Sequence, residues 1–328
     1  MLVIRTRNVH DVLPKAMSFL TSNGVRKNSR AGEVFVHDGP VTTVYERPRE
    51  RVLFWAKRDA NPFFHFMEGL WMLAGRNDVA WLSQFNSRMV QFSDNGRTFH
   101  GAYGYRWRNH FSPGELTDQL RYVAEKLKND LNDRRAVLSI WDPSSDLCRV
   151  GKDVPCNLAA HFSVSDRGLD MIVFNRSNDI IWGCYGANAV HFSMLHEVMA
   201  AWIGVPVGTY TQVSANWHGY LDTMSKHWDV TIEEYPDPYE KGDVEPFQMV
   251  NVPIETWFQD LEIFMADGPI VGFRDRFFRR VVTPMFHAWE AYKTKSPMRY
   301  DNALEIINQC EASDWRKACI EWIERRRT

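Results

Sequence analysis

The stretch Asp153-Val154-Pro155-Cys156-Asn157, followed by Arg176-Ser177-Asn178-Asp179, decides both the fold and the chemistry of this chain. A free cysteine is usually a small buried hydrophobe. Here a proline fixes the backbone before the thiol. An apolar run then leads to an arginine, a hydroxyl and a carboxylate. This arrangement indicates a thiolate nucleophile beside a site for an anionic ligand that forms hydrogen bonds.

Composition places the chain among ordinary globular proteins. It has 328 residues, of which 45% are hydrophobic and 24% are charged, and its formal net charge is −2. Such a balance does not indicate a general nucleic-acid or membrane binder. The five cysteines form no C-x-x-C pair, so we expect neither a disulfide framework nor a metal site. We see no signal peptide and no run of ~18 apolar residues, so we expect a cytoplasmic protein without a membrane span.

Hydrophobic periodicity predicts a mixture of helices and short strands. Helices are expected at residues 10–24, 63–74, 77–85, 116–130, 189–203, 224–227 and 256–266, with two more between 302 and 327. Strands are expected at 136–141, 159–164, 169–175 and 207–214, and around a turn within 33–45. Residues 27–32 are expected to form a basic, flexible loop. The fold class is therefore α+β, with a core at residues 1–230 and a helical C-terminal region of the same domain at 231–328.

Three segments, at residues 154–157, 175–179 and 218–220, together resemble the thymidylate synthase superfamily. That superfamily includes thymidylate synthases and the nucleotide hydroxymethylases of phages and some bacteria. The resemblance covers roughly residues 25–225 and implies a mixed β-sheet with flanking helices, an obligate homodimer with shared sites, and a bacterial or phage-infected cytosol. It also implies a pyrimidine nucleoside 5′-monophosphate as substrate and 5,10-methylenetetrahydrofolate as cofactor. No metal, DNA, RNA or membrane is required.

The resemblance identifies three catalytic residues. Cys156 adds to C6 of the pyrimidine, which makes C5 enolate-like and therefore nucleophilic. Glu68 lies in an apolar stretch, where a carboxylate is costly unless it has a partner or a function. The resemblance implies that Glu68 organises water and moves protons at the base. Tyr103 resembles a tyrosine that assists removal of the C5 proton, although this chain is one residue shorter there.

Six further residues resemble the ligands of the nucleotide phosphate and base. Arg176 and Ser177 match phosphate ligands, and Asp179 would lie near the base. The resemblance implies that Arg134 and Arg135 reach the phosphate bound to the partner subunit, whereas the residues alone also fit a solvated charge cluster. A mobile phosphate-binding arginine of the family is matched by a short loop segment, which contains Arg30.

Sugar and base contacts complete the predicted site. His218 and Tyr220 are two residues apart, so in an extended segment they point to the same side and could both bond a ribose 3′-hydroxyl. The amide of Asn188 offers a donor and an acceptor, which suits N3–H and O4 of uracil. On local grounds Asn188 fits the N-cap of the following helix equally well.

The product depends on whether water or hydride reaches the intermediate. Asn157 replaces a histidine common in thymidylate synthases, and Asn178 resembles the hydroxymethylase branch. Residues 324–328 lack the apolar tail that closes over folate in thymidylate synthases, and such a site admits water. We therefore expect 5-hydroxymethylation of dCMP, CMP or dUMP, with a slight preference for a cytidylate. Two alternatives stay open: a thymidylate synthase that converts dUMP to dTMP, and an inactive relative that binds nucleotide or RNA.

Overall fold

Two mixed β-sheets organise the computed structural model, which describes residues 1–111 and 118–327. The strands in these residues are β1 (Leu2–Thr6), β2 (Val25–Ser29), β3 (Gly32–Val36), β4 (Val41–Tyr45), β5 (Val137–Ser139), β6 (Asn157–Ser165), β7 (Gly168–Asn175), β8 (Asn178–Asp179), β9 (Val207–Ser214) and β10 (Trp217–Tyr220). The main sheet has the order β1-β4-β9-β7-β6-β5, in which β1–β4 and β7–β9 are parallel. The second sheet has the order β2-β3-β10-β8.

The α-helices of the described residues are α1 (Val9–Asn23), α2 (Pro62–Leu73), α3 (Val79–Phe85), α4 (Tyr103–Tyr105), α5 (Gln119–Asn129), α6 (Pro143–Asp146), α7 (Asn188–Ile203), α8 (Leu221–Lys226), α9 (Ile254–Asp267), α10 (Thr283–Lys293), α11 (Arg299–Ile307) and α12 (Ser313–Arg327). Helix α7 is the central one, since 14 of its 16 residues are buried. It packs on α2 and on strands β7 and β9. Apolar residues around most of the α7 circumference explain why it lies in the core rather than on the surface.

Aromatic side chains join the C-terminal helices to α2. Phe66 meets Trp315 edge to face at 5.1 Å between ring centroids, and Phe63 meets Trp322 at 5.8 Å. These contacts support a proposal in which residues 231–328 belong to the same domain as the catalytic core. No helix within residues 1–111 and 118–327 is long and apolar enough to cross a membrane.

The predicted α+β class is confirmed, and so are most predicted elements, with shifts of a few residues at their ends. Residues 116–117 of one predicted helix lie outside the described residues. The prediction of a flexible loop at 27–32 is wrong, because these residues form the end of β2, a two-residue turn and the start of β3. Strand β2 is exposed along its whole length, so it has no apolar alternation that would reveal it. Strands β3 and β4 belong to different sheets, and β1 and α10 were not predicted.

Candidate active site

A cavity of about 430 Å³ gathers most of the predicted site residues. Its walls come from α2, α7, β8 and β10 and from the segment before β6. Eight of the twelve predicted residues line it: Glu68, Tyr103, Cys156, Ser177, Asp179, Asn188, His218 and Tyr220. The four that do not line it are the arginines: Arg30, Arg134, Arg135 and Arg176. The fold thus brings residues about 150 positions apart in the chain to one place, whereas the arginines predicted to bind phosphate do not line it.

Cys156 has a guanidinium beside it. Arg176 donates from Nε to the Pro155 carbonyl at 2.8 Å and from Nη2 to the Val154 carbonyl at 3.1 Å. Its Nη2 then lies 3.9 Å from the Cys156 Sγ. Burial raises the pKa of the Cys156 thiol, and the positive charge of Arg176 opposes that increase. Two backbone carbonyls therefore hold a cation at the sulfur.

Glu68 is the buried carboxyl of the cavity. Burial raises its pKa from 4.5 to about 8. His191, on the facing helix α7, places its Nε2 3.4 Å from the Glu68 Oε2 and 3.1 Å from the His65 carbonyl. Burial lowers the pKa of His191 to about 4, so its ring is neutral at pH 7. We did not predict His191 from the sequence, because a histidine in an apolar helix has the same pattern as a core residue.

Tyr103 enters the cavity because α4 approaches α2 unusually closely. A Cβ at Gly104 would lie 1.9 Å from the Met72 carbonyl oxygen, so only glycine fits at this position. The Tyr103 ring packs 6.0 Å from that of Phe192, and burial raises the pKa of its hydroxyl well above its usual value. Its hydroxyl interacts with the backbone of Cys156, which places it beside the proposed nucleophile.

Asn188 is held by a second amide. Ala187 occupies the N-cap position of α7 and no side chain caps this end, so the N-cap alternative for Asn188 is wrong. Instead, Asn188 Nδ2 donates to the Asn178 Oδ1 at 3.1 Å. Asn178 Nδ2 in turn donates to the Gln212 Oε1 at 2.9 Å and to the Ser214 Oγ at 3.0 Å. A row of buried amides therefore lies beneath the cavity.

Parallel pairing of β8 with β10 brings Asp179 beside His218. The Asp179 Oδ1 accepts hydrogen bonds from the backbone of Ile181 at 2.9 Å and Trp182 at 2.6 Å. Its Oδ2 is buried and has no hydrogen-bond partner among the described residues. The rings of His218 and Tyr220 lie 5.4 Å apart, so the two side chains share one side of the strand. The side chains predicted for sugar and base thus form one wall.

The remaining predicted arginines are exposed on the surface. Arg30 lies in the turn between β2 and β3 and donates to the Gly151 carbonyl at 3.3 Å. Arg135 pairs with Asp133 at 2.6 Å, and the guanidinium lowers the pKa of that carboxyl. Arg134 is exposed and, among the described residues, carries no hydrogen bond from its guanidinium. Neither Arg134 nor Arg135 lines the cavity of its own chain.

Two half-exposed aromatic rings border the mouth of the cavity, those of Phe92 and Trp182, which are 54% and 51% exposed. The apolar side chains of Leu82 and Met89 line the same cavity, and Leu82 is buried. Arg58 stacks on the Trp182 ring at 4.2 Å and so helps to hold it. No sequence motif marks the four lining residues, because they come from three separate segments of the chain.

Comparison with known proteins agrees with this geometry. A family model described as Thymidylate synthase matches residues 17–257, which is more than half of the chain. The chain belongs to the thymidylate synthase family. It is therefore a transferase, and the predicted family and enzyme class are confirmed.

Individual relatives place the chain more narrowly within the thymidylate synthase family. A deoxyuridylate hydroxymethyltransferase of Pseudomonas phage M6 is 53% identical and matches 100% of this chain and 95% of its own length. A protein of the same name from Bacillus phage SP01 is 45% identical over 56% of this chain and 50% of its own. A thymidylate synthase of Corynebacterium aurimucosum is 30% identical over 50% of this chain and 62% of its own. The resemblance to the hydroxymethylase branch is thereby confirmed.

Proposed function

We propose that this enzyme transfers a one-carbon unit to C5 of deoxyuridine 5′-monophosphate and then adds water, so that the product is 5-hydroxymethyl-dUMP. The observation that carries the proposal is that Cys156, Glu68 and Asn188 meet in one cavity. A relative that is 53% identical over the whole chain and bears the name deoxyuridylate hydroxymethyltransferase supports it. The sequence alone slightly favoured a cytidylate, and this relative now moves the proposal to dUMP.

The proposed chemistry starts at the sulfur of Cys156. The thiolate bonds to C6, electron density moves to C5 and O4, and C5 bonds the one-carbon unit. Loss of the C5 proton would then form a double bond from C5 to the one-carbon unit, while the bond from that unit to the donor nitrogen breaks and its electron pair leaves with the donor; a methylene group outside the ring at C5 would remain. Water adds to this methylene and loses a proton, while the electron pair of the double bond moves to O4. Collapse of that enolate restores the C5–C6 double bond and expels the Cys156 thiolate.

Glu68 is the proposed proton carrier for these steps. A pKa of about 8 lets the carboxyl both give and accept a proton near neutral pH. Its side chain is 15% exposed, so it reaches the cavity although it is largely desolvated. His191, 3.4 Å away, is neutral and cannot supply a fixed positive charge that would keep the carboxyl ionised. We therefore assign the proton taken from the attacking water to Glu68.

The cofactor proposal rests on the apolar mouth. Two half-exposed aromatic rings, those of Phe92 and Trp182, with Leu82 and Met89 beside them, fit a flat heteroaromatic ring. We propose that these residues hold 5,10-methylenetetrahydrofolate, which supplies a one-carbon unit at the oxidation level of formaldehyde. The chain's own contribution would be to hold that ring in the same cavity as the nucleotide.

A homodimer is proposed from the outer face of the main sheet. On this face Val3, Val137 and Phe174 are 49%, 46% and 40% exposed, and no element of the described residues covers them. Phe174 is in register with Val213, Val213 with Thr42 and Thr42 with Val3, so this mainly apolar row crosses four strands on one face. A second copy of the chain would bury this face by an isologous contact. It would also account for Arg134 and Arg135, which we propose act on the phosphate bound to the partner subunit.

Product analysis tests the proposed function. The protein is incubated with C5-tritiated dUMP and methylenetetrahydrofolate, and tritium release, dihydrofolate absorbance and nucleotide mass are followed together. We expect tritium release, a 5-hydroxymethyl nucleotide and no dihydrofolate. Formation of thymidylate with an equal amount of dihydrofolate would identify a thymidylate synthase instead, and no tritium release from dUMP or dCMP would remove the proposal altogether.

A further inference from the structure

The buried amides beneath the cavity form a row of hydrogen bonds, and one end of this row fixes the orientation of every amide in it. We infer that Asn178 and Gln212 are positioning residues that lock the orientation of the Asn188 amide and so set a preference for uracil over cytosine. The inference rests on the proposed function in two respects: a pyrimidine nucleotide occupies the cavity with its base at Asn188, and the substrate dUMP identifies uracil as the base that the fixed orientation matches. It adds the residues that determine which base Asn188 can read.

The fixed end is a backbone carbonyl. Gln212 Nε2 donates to the Cys184 carbonyl at 2.9 Å, and the hydroxyl of Tyr45 donates to the same oxygen at 2.8 Å. A carbonyl oxygen can only accept, so the Gln212 amide must turn its nitrogen towards Cys184. Its Oε1 is then forced to the opposite side, where Asn178 lies.

The orientation passes from Gln212 to Asn178 and on to Asn188. Since the Gln212 Oε1 is an acceptor, Asn178 must present Nδ2 to it, and Nδ2 also donates to the Ser214 Oγ. This uses both N–H groups of Asn178 and leaves Oδ1 facing Asn188. Asn188 must therefore present Nδ2 to Asn178, at 3.1 Å. One N–H and the Oδ1 of Asn188 remain for a ligand, and the row of hydrogen-bonded amides has fixed which position holds the donor and which the acceptor.

Burial makes this order costly to reverse. Gln212, Asn178 and Asn188 are 0%, 2% and 8% exposed. Rotating any one amide by 180° would set two oxygens or two N–H groups against each other where water cannot replace the lost bond. The Asn188 Nδ2 bonds the Asn178 Oδ1 directly at 3.1 Å, so no water lies between them. Glycine at position 183 permits this contact, because a Cβ there would lie 2.8 Å from the Asn178 Oδ1 and 3.3 Å from the Asn188 Nδ2.

A locked amide distinguishes the two bases because their edges are opposite. Uracil offers a donor at N3 and an acceptor at O4, whereas cytosine offers an acceptor at N3 and a donor at the 4-amino group. An amide that can rotate matches either base by turning over, but one held in a single orientation matches one base and opposes the other. Because the proposed substrate is dUMP, the locked orientation is assigned to uracil.

Equilibrium binding of dUMP and dCMP tests the lock without requiring catalysis. The ratio of the two Kd values, measured by calorimetry, does not depend on the fraction of protein that is folded. For the wild type we expect dUMP to bind on the order of 10- to 100-fold more tightly, as for one mismatched buried polar group. The N178A variant removes the acceptor that holds Asn188, and we expect its ratio to fall to within about 3-fold of unity.

Three further variants separate the lock from a general structural effect. Gln212→Leu breaks the chain one link away from Asn188 and should lower the ratio in part. Asn178→Asp keeps an acceptor for the Asn188 Nδ2 and should retain the preference. Asn175→Ala is the matched control, since Asn175 is 1% exposed but, within the described part of the chain, its side chain bonds only to the Val173 and Val213 carbonyls. Its ratio should equal that of the wild type.

The outcomes are distinguishable from those of the proposed function. The inferred lock is overturned if the ratio of the dCMP and dUMP Kd values is unchanged in Asn178→Ala, or if it changes equally in Asn175→Ala. It is also overturned if the wild type binds both nucleotides equally. A wild type that shows the expected binding preference but makes no 5-hydroxymethyl product refutes the proposed reaction and leaves the lock supported.

Discussion

Replacing Glu68 by glutamine is expected to stabilise this protein in mildly alkaline solution and to have no such effect in acid. Glutamine has nearly the same shape as a protonated glutamate but cannot ionise. The folded protein raises the pKa of Glu68 from 4.5 to about 8 by burial, so in the folded state the ionised carboxylate is disfavoured. The substitution removes a pH-dependent cost and leaves the packing of α2 against α7 in place.

The sign and size of the effect follow from proton linkage. Below pH 4.5 the carboxyl is protonated in both the folded and the unfolded chain, so it does not bias the equilibrium. Between pH 4.5 and about 8 the unfolded chain releases this proton while the folded protein keeps it, which lowers the free energy of unfolding as pH rises. The full interval corresponds to on the order of 5 kcal/mol. Above about pH 8 both states are ionised and the difference stays constant.

Urea unfolding at fixed protein concentration measures this difference between wild type and Glu68→Gln at intervals from pH 4.5 to 9. The advantage of the variant should grow from near zero to on the order of 5 kcal/mol by pH 8. Asp314→Asn provides a comparison, because burial raises the pKa of Asp314 only from 3.8 to about 6. Its pH-dependent difference should be complete near pH 6. A Glu68→Gln advantage that is the same at every pH would refute the desolvation argument.

Four other expectations concern activity. Mass spectrometry should show no covalent adduct between the Cys156→Ser variant and 5-fluoro-dUMP. Tritium release by this variant should fall by at least about 10³-fold. An adduct located at a residue other than Cys156 would contradict the proposed nucleophile. Mixing the Cys156→Ser and Arg134→Ala proteins should restore activity that neither variant has alone. In a mixed dimer with shared sites, one site combines an intact Cys156 from one subunit with an intact Arg134 from the other. Sites that are not shared between subunits would give no recovery. Trp182→Ala should raise the KM for methylenetetrahydrofolate about 10-fold and leave the Kd of dUMP nearly unchanged, and an equal loss for both ligands would argue against the proposed mouth. His191→Leu should lower kcat by on the order of 10²-fold. The control is His196→Leu, which should leave kcat nearly unchanged, because His196 is a buried histidine of the same helix that bonds the Leu169 carbonyl at 2.5 Å outside the cavity. Equal losses of kcat in the two variants would indicate an effect of packing alone.

The pattern of residues within short segments was sufficient to predict much of the fold and the residues at the centre of the candidate site. Strand β9 was predicted with the ends that the structure shows, because its alternating residues face a core and a surface in turn. The residues around Cys156 and Arg176 were found because the chemistry is encoded in short segments. Strand β2 was missed, since pairing with β3 rather than burial holds it in place.

Contacts between distant segments account for what the sequence did not reveal. Gln212 lies 34 residues beyond Asn178 and reaches it only because the second sheet stands next to the end of β9. His191 meets Glu68 across two packed helices. Neither residue belongs to a motif, and a buried glutamine or histidine in an apolar run cannot be told from a core residue before the helices and strands are assembled. The N-cap prediction for Asn188 was wrong for the same reason, since its bond is to Asn178.

The two proposed reacting side chains of the resting site, Cys156 and Glu68, are mainly uncharged, and this follows from one cause. Burial raises the pKa of both the Cys156 thiol and the Glu68 carboxyl, so at neutral pH both groups are mainly protonated. The Arg176 guanidinium, 3.9 Å from the sulfur, is the cation that favours ionisation. We therefore expect little thiolate to accumulate before a substrate arrives. In the proposed reaction the thiolate forms when the substrate is bound, because bonding of the sulfur to C6 passes the negative charge to O4 of the base rather than leaving it in the apolar cavity. Under this proposal, desolvation restricts the nucleophile to a ligand that can accept its charge, and the inferred amide lock acts on that same ligand through the edge of its base.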